Sequence, residues 1–376
     1  MRAGDLGVPF RLPLLILGFA SLVSGVLVGL ARLGWSMPLS LAQLSLLHGP
    51  LMVSGFLGTV IGLERAVAMG RRWAYAGPLL SGLGGAAILA GLPLALGAAA
   101  MTLGSAVLCL GTTLIMLRQR ELFMITMALG ALSWLAGNLL WLAGAPVPGV
   151  AALWINFLVL TIAGERLELS RFLPPSPAAK RTFAAILATL LGGGFFSTSG
   201  AGIVLYGAGL LALALWLLRQ DIARRTVRER GLTRFIAVCL LSGYAWLALG
   251  GILLLAAGGL SGMAYDAVLH ALLLGFVFSM VFGHAAVIFP AVVRVKMPYH
   301  PVFYLPLLVL HVSLFARLLG DALAQPGLRS LGGLLNAVAL ALFIAVTVSS
   351  VIRGLRMGQG HPPRKARQPA AASDPA

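Results

Sequence analysis

The chain is poor in charge. Only 10% of its 376 residues are Asp, Glu, Lys or Arg, against about 25% in a soluble domain, so a soluble fold is excluded. Acid is scarcer still, with ten Asp and Glu residues against 27 Lys and Arg. All ten fall at helix ends, in loops or in tails, which leaves no mid-membrane carboxylate for coupling ions. The two cysteines, Cys109 and Cys239, stand alone inside apolar runs. That excludes a disulfide framework or a paired-thiol redox motif. No polar stretch is long enough for a separate soluble domain.

What is present is apolar. Hydrophobic residues make up 60% of the chain and the mean hydropathy is +0.99. Runs of about 20 apolar residues recur throughout, the length a membrane-crossing helix needs. They are continuous rather than alternating, which excludes a β-barrel. The pattern predicts an all-α polytopic protein of twelve spans: 12–33, 43–63, 74–93, 95–117, 122–143, 148–168, 182–198, 201–218, 234–257, 265–289, 301–319 and 330–352. The first run is too long and lacks a cleavage site for a signal peptide, so it reads as a span. Residues 1–356 read as one transmembrane domain, and the basic, Pro/Ala-rich segment 357–376 as a disordered tail with a solvated His361.

The basic residues orient the chain. Twenty-four of the 27 fall in the two tails and in alternate loops, the densest being Arg219, Arg224, Arg225, Arg228, Arg230 and Arg234. By the positive-inside rule both termini are cytoplasmic. The formal charge of +17 follows from that distribution, and nucleic-acid binding is excluded. The lipid bilayer is the implied partner.

Three basic residues break the pattern: Arg32, Arg317 and Arg329. Beneath the same outer side lie His48 in span 2 and His270 in span 10, each about five residues, or roughly 7 Å, below the surface. Two imidazoles at one depth on two helices suit a haem iron held by two axial histidines. Guanidinium groups above them suit its propionates; lipid headgroups or Asp321 are their other natural partners. Asp266 precedes His270 by one turn. It either orients the imidazole through the second ring nitrogen or caps span 10. Gly55, Gly58 and Gly275 either admit a flat macrocycle or serve helix packing. His284 and Met280, one turn apart, form a candidate copper pair; hydrogen bonding within the bundle is the plainer role for His284, His300 and His311. On the inner side, Ile61-Gly62-Leu63-Glu64-Arg65 and Ile162-Ala163-Gly164-Glu165-Arg166 are alike. Each offers a salt bridge or a site of proton uptake.

Twelve spans, cytoplasmic termini and outer histidines on spans 2 and 10 resemble the catalytic subunit of haem–copper oxidases. The stretches His48-Gly49-Pro50-Leu51-Met52-Val53-Ser54-Gly55-Phe56, His270-Ala271-Leu272-Leu273-Leu274-Gly275-Phe276 through Met280, and Phe315-Ala316-Arg317-Leu318-Leu319-Gly320-Asp321 are closer to the NnrS family of haem- and copper-containing membrane proteins linked to nitric oxide stress. The resemblance implies a protein of the bacterial inner membrane with haem b on His48 and His270. It implies propionates near Arg317, electron transfer or nitric oxide handling, a periplasmic electron donor and a small gaseous ligand. If it turns over, the chain is an oxidoreductase. Leu272 stands where oxidases carry a second haem ligand, and spans 6 and 7 have no histidine, so oxygen reduction at a haem–copper centre is not implied. The rival readings are a secondary transporter with twelve spans and a membrane assembly factor without a cofactor.

Overall fold

The computed structural model describes residues 5–169, 175–257 and 262–359. Arg2, Arg171, His361, Arg364, Lys365 and Arg367 lie outside these residues, as does most of the tail expected over 357–376. Twelve long helices run in order: α1 (Val8–Arg32), α2 (Ser45–Met69), α3 (Ala76–Leu89), α4 (Leu94–Arg118), α5 (Leu122–Leu142), α6 (Val147–Leu169), α7 (Pro177–Phe195), α8 (Gly200–Gln220), α9 (Gly231–Ala257), α10 (Gly262–Val293), α11 (Pro301–Ala322) and α12 (Pro326–Gln359). There is no strand among the described residues.

Ten of these helices are long and apolar enough to cross a membrane. The exceptions are α3, with 14 residues, and α7, whose second turn carries Lys180 and Arg181. The expected ends also shift. Pro9 stands at the start of α1, where its missing N–H costs nothing, so that helix begins before residue 12. Arg11 is thereby drawn from the expected N-terminal tail into the helix. The last helix continues three residues past the expected domain end at 356.

Chain neighbours pack as hairpins, α3 with α4, α5 with α6 and α11 with α12 among them. α6 is the innermost helix. Its residues from Val150 to Thr161 are buried without interruption, as expected of a helix apolar on every side. Small residues set the close approaches. A side chain at Gly251 of α9 would meet the backbone of Gly207 and Leu211 in α8 at 2.9 and 2.8 Å, the small-residue contact that lets membrane helices touch. A buried polar network joins α2, α4 and α5. Trp134 donates to the Ser54 hydroxyl at 3.0 Å, Ser54 donates to Asn138 Oδ1 at 3.0 Å, and the Asn138 amide donates to the Met101 carbonyl at 3.3 Å.

Arg11 is 1% exposed and latches the start of α1 to the end of α10. It donates to the Leu6 carbonyl at 2.9 Å, the Val292 carbonyl at 2.8 Å and Asp5 at 2.6 Å. The Tyr75 hydroxyl donates to the other Asp5 oxygen at 2.6 Å. Removal from water opposes the Asp5 charge, but Tyr75 and Arg11 outweigh it and hold the carboxyl below its usual value. A carboxylate with a lowered folded value adds stability above its unfolded value, near 4 (about 3.9), and loses it as pH falls. Asp5→Asn should therefore melt below the wild type at neutral pH, with the gap closing as pH drops beneath about 4. A gap unchanged by acid would show that the Asp5 charge plays no part in the latch.

Candidate metal site at the His48–His270 pair

His48 lies near the start of α2 and His270 in the third turn of α10. Their ring centroids are 6.3 Å apart and their planes differ by 19°. His48 Nδ1 lies 2.7 Å from the Gly25 carbonyl oxygen and His270 Nδ1 lies 2.8 Å from the Asp266 carbonyl oxygen. A carbonyl only accepts, so each Nδ1 carries its proton and each Nε2 keeps its lone pair. The two free lone pairs belong to near-parallel rings at one level.

The separation has a chemical meaning. A metal–imidazole bond is about 2 Å, and the nitrogen lies roughly 1 Å from the ring centre. Two rings on one metal thus have centres about 6 Å apart.

Local backbone helps to place the rings. The seven residues Leu51–Leu57 follow His48 as a π-helix, and the eight residues Ala271–Phe278 follow His270 in the same way. Such turns are rare and favour functional sites. Pro50 gives α2 a local cause, since it has no N–H for the α-helical ladder. Helix α1 supplies the other support. A side chain at Gly29 would come 2.9 Å from both Cε1 and Nδ1 of His48, so the ring rests on bare backbone. Gly25-Val26-Leu27-Val28-Gly29 is a small-xxx-small signal, and it could have flagged α1 as the helix beneath His48. Gly29→Val should displace the imidazole, and the spectrum of any metal held between His48 and His270 should change with it. An unchanged spectrum would remove α1 from any part in positioning the ligand.

Asp266 lies in the second turn of α10, which starts at Gly262. It therefore does not cap the helix. Its side chain gathers the outer arginines. Arg317, 7% exposed, donates to Oδ2 through Nε at 3.2 Å and Nη2 at 2.9 Å. Arg329 Nη2 lies 3.4 Å from Oδ1, and its Nε pairs with Asp321 at 2.8 Å. The same Oδ2 is 3.4 Å from His270 Nδ1. One carboxylate thus links a candidate ligand to two arginines from α11 and α12. Arg32 is exposed at the end of α1 and has no carboxylate partner among the described residues. The neighbouring Tyr265 hydroxyl is shut off from solvent without a hydrogen-bond partner among the described residues.

Other expected residues serve packing. Side chains at Gly55, Gly58 and Gly275 would meet Ser21, Trp134 and Trp246 within 3 Å, so neighbouring helices fill the space assigned to a macrocycle. His284 and Met280 do not converge. His284 Nε2 accepts from Arg166 at 2.7 Å and its Nδ1 donates to the Met280 carbonyl at 2.7 Å, while the Met280 methyl packs toward Gly243. His311 accepts from Trp246 at 2.9 Å and bonds Ser242 at 3.0 Å. His300 caps the turn at Val302. At the inner end Arg65 pairs with Glu165 and lies 3.6 Å from Glu64, so the two similar stretches meet through one guanidinium.

A family model described as a domain of unknown function, DUF8744, matches residues 11–352. The chain belongs to this family. The match takes in all of α2 to α11, and with them both histidines and the Asp266 cluster. No curated protein matches the sequence.

Proposed function

We propose that this member of the DUF8744 family is a haem protein of the bacterial inner membrane, with haem b held by His48 and His270. The observation that carries the reading is the pair of near-parallel imidazoles 6.3 Å apart, each with Nδ1 turned to a carbonyl. The donor set fits the cofactor: two neutral imidazoles for the iron, and Arg317, Arg329, Arg32 and the unpartnered Tyr265 hydroxyl for its carboxylates. Bound haem would supply a one-electron iron couple. The chain's own residues do the rest. Gly25 and Asp266 fix the tautomers, Gly29 seats His48, and Asp266 holds Arg317 and Arg329 beside His270.

The reading counts α3 and α7 as spans, which makes twelve crossings, and takes both termini as cytoplasmic and the histidines as near the periplasmic face, as the alternation of basic loops suggests. Haem held by both histidines would suit electron transfer from a periplasmic donor better than ligand chemistry. Nitric oxide handling, which the resemblance to the NnrS family suggests, requires one histidine to leave. Copper on His284 and Met280 is the weaker part of the reading, because both ring nitrogens of His284 are engaged. The test is an absorption spectrum of protein purified from haem-replete cells. A Soret band with sharp reduced α and β bands is expected. Colourless, folded protein would sink the proposal and leave the transporter and the assembly factor, which substrate flux in proteoliposomes would separate.

A further inference from the structure

The densest basic stretch lies where α8 turns into α9, at the end of the bundle that the run of helices places opposite the histidine pair. Six arginines fall between Arg219 and Arg234, and all are exposed. The start of α7 is beside them. Trp216, near the end of α8, donates to the Ala179 carbonyl at 3.0 Å, and its ring lies 4.8 Å from that of Phe183. Exposed Lys180 and Arg181 therefore join the same patch. None of these eight side chains makes a salt bridge among the described residues. The turn itself is held in place. Asp221 accepts from the Ala223 N–H at 2.8 Å and from the hydroxyl of Tyr244 at 2.5 Å, which ties the segment to α9. Glu229 is the only exposed acid within it. The cations are thus displayed on an anchored turn without carboxylate partners.

Depth and chemistry narrow the partner. Tryptophan marks the boundary between hydrocarbon and water in membrane proteins. Arg219 stands three residues past Trp216, about 4.5 Å along the helix, and Lys180 and Arg181 follow the carbonyl that Trp216 binds. The cations therefore begin at headgroup depth, beneath the level where a soluble acidic protein or a nucleic acid would dock. Ile222, 38% exposed among the arginines, adds apolar contact there. Phosphate matches the donors, because a guanidinium binds it through two parallel hydrogen bonds and always stays charged. Clusters of about four to eight basic residues beside a membrane helix select anionic lipid. We propose that this patch binds the headgroups of anionic phospholipids in the adjoining leaflet. The proposal also accounts for the polar start of α7, whose two cations gain phosphate partners. It stands apart from the haem reading and shares no residue with it.

Native mass spectrometry of the full-length protein tests this, with phosphatidylglycerol and phosphatidylethanolamine supplied in equal amounts. Retained phosphatidylglycerol should exceed phosphatidylethanolamine several-fold. The preference should collapse in a triple variant carrying Arg224→Gln, Arg225→Gln and Arg228→Gln. It should persist in Arg118→Gln with Arg120→Gln, which neutralises the loop between α4 and α5. If the triple variant does not accumulate, thermal unfolding of the wild type in detergent decides: phosphatidylglycerol should raise the midpoint and phosphatidylethanolamine should not. Equal retention of the two lipids would overturn the proposal. So would an equal loss of preference in both variants, which would mean diffuse attraction to any basic loop. Displacement of the lipid by a soluble oligoglutamate at matched charge would also overturn it, in favour of an acidic protein partner.

Discussion

Replacing either His48 or His270 by alanine should, on the haem reading proposed above, abolish the paired low-spin bands and leave at most a weak high-spin species. The double variant should bind no haem. The reason is geometric. The rings lie near-parallel with centres 6.3 Å apart, the spacing of two imidazoles on one metal, and two of the other imidazoles are engaged elsewhere. His284 has both nitrogens committed, to Arg166 and the Met280 carbonyl, and His311 is held by Trp246 and Ser242. His284→Ala and His311→Ala should therefore keep the spectrum. Reduced-minus-oxidised spectra of the four single variants decide the matter. Full low-spin bands in His48→Ala or His270→Ala, or their loss in His284→Ala, would show that the iron ligands are misassigned.

The second large effect is expected at Asp266. It is the shared carboxylate of Arg317 and Arg329 and is only 17% exposed. Asp266→Asn would leave the buried Arg317 charge unpaired, and breaking a buried pair costs about 3–5 kcal/mol. The lower end applies here, because Arg329 is partly exposed and keeps Asp321. If haem binds as proposed, its carboxylates would supply other anions, and the loss should be larger in protein prepared without haem. Asp266→Asn combined with Arg317→Met should lose less than the two single changes together, since the second removes the charge that the first strands. Thermal unfolding of the four proteins in one detergent measures this cycle. Additive losses would mean that the pair has no energetic coupling.

The Asp266 cluster also marks where reading the chain stops short. His48 and His270 stand out in one dimension because a polar side chain in an apolar run is conspicuous and its depth follows from counting residues. The alternation of Lys and Arg is legible for the same reason, as each loop reports its side of the membrane. The Asp266–Arg317 pair spans 51 positions, and the Arg11–Val292 contact spans 281. No local pattern shows that these residues meet. In the sequence Arg32, Arg317 and Arg329 read as partners of a cofactor, of headgroups or of Asp321; Arg329 does pair with Asp321, but Arg317 and Arg329 also share Asp266. Gly55, Gly58 and Gly275 look like room for a ligand until Ser21, Trp134 and Trp246 are seen to occupy it.

The π-helices after the histidines were equally hidden. Pro50 hints at one of them, but Ala271–Phe278 reads as an ordinary apolar stretch. A π turn is decided by how a helix is held by its neighbours, not by its composition alone.

The amino-acid order alone dictated an all-helical chain destined for lipid, the alternation of its basic loops and two imidazoles at one depth. Those properties come from hydrophobicity and charge summed along short windows. Packing alone decided that the imidazoles come to lie near-parallel 6.3 Å apart, that α1 lends His48 bare glycine backbone, and that one carboxylate gathers Arg317 and Arg329. Neighbours in lipid are chosen by close fit and by pairing of polar groups between helices far apart in the chain, and neither leaves a periodic trace.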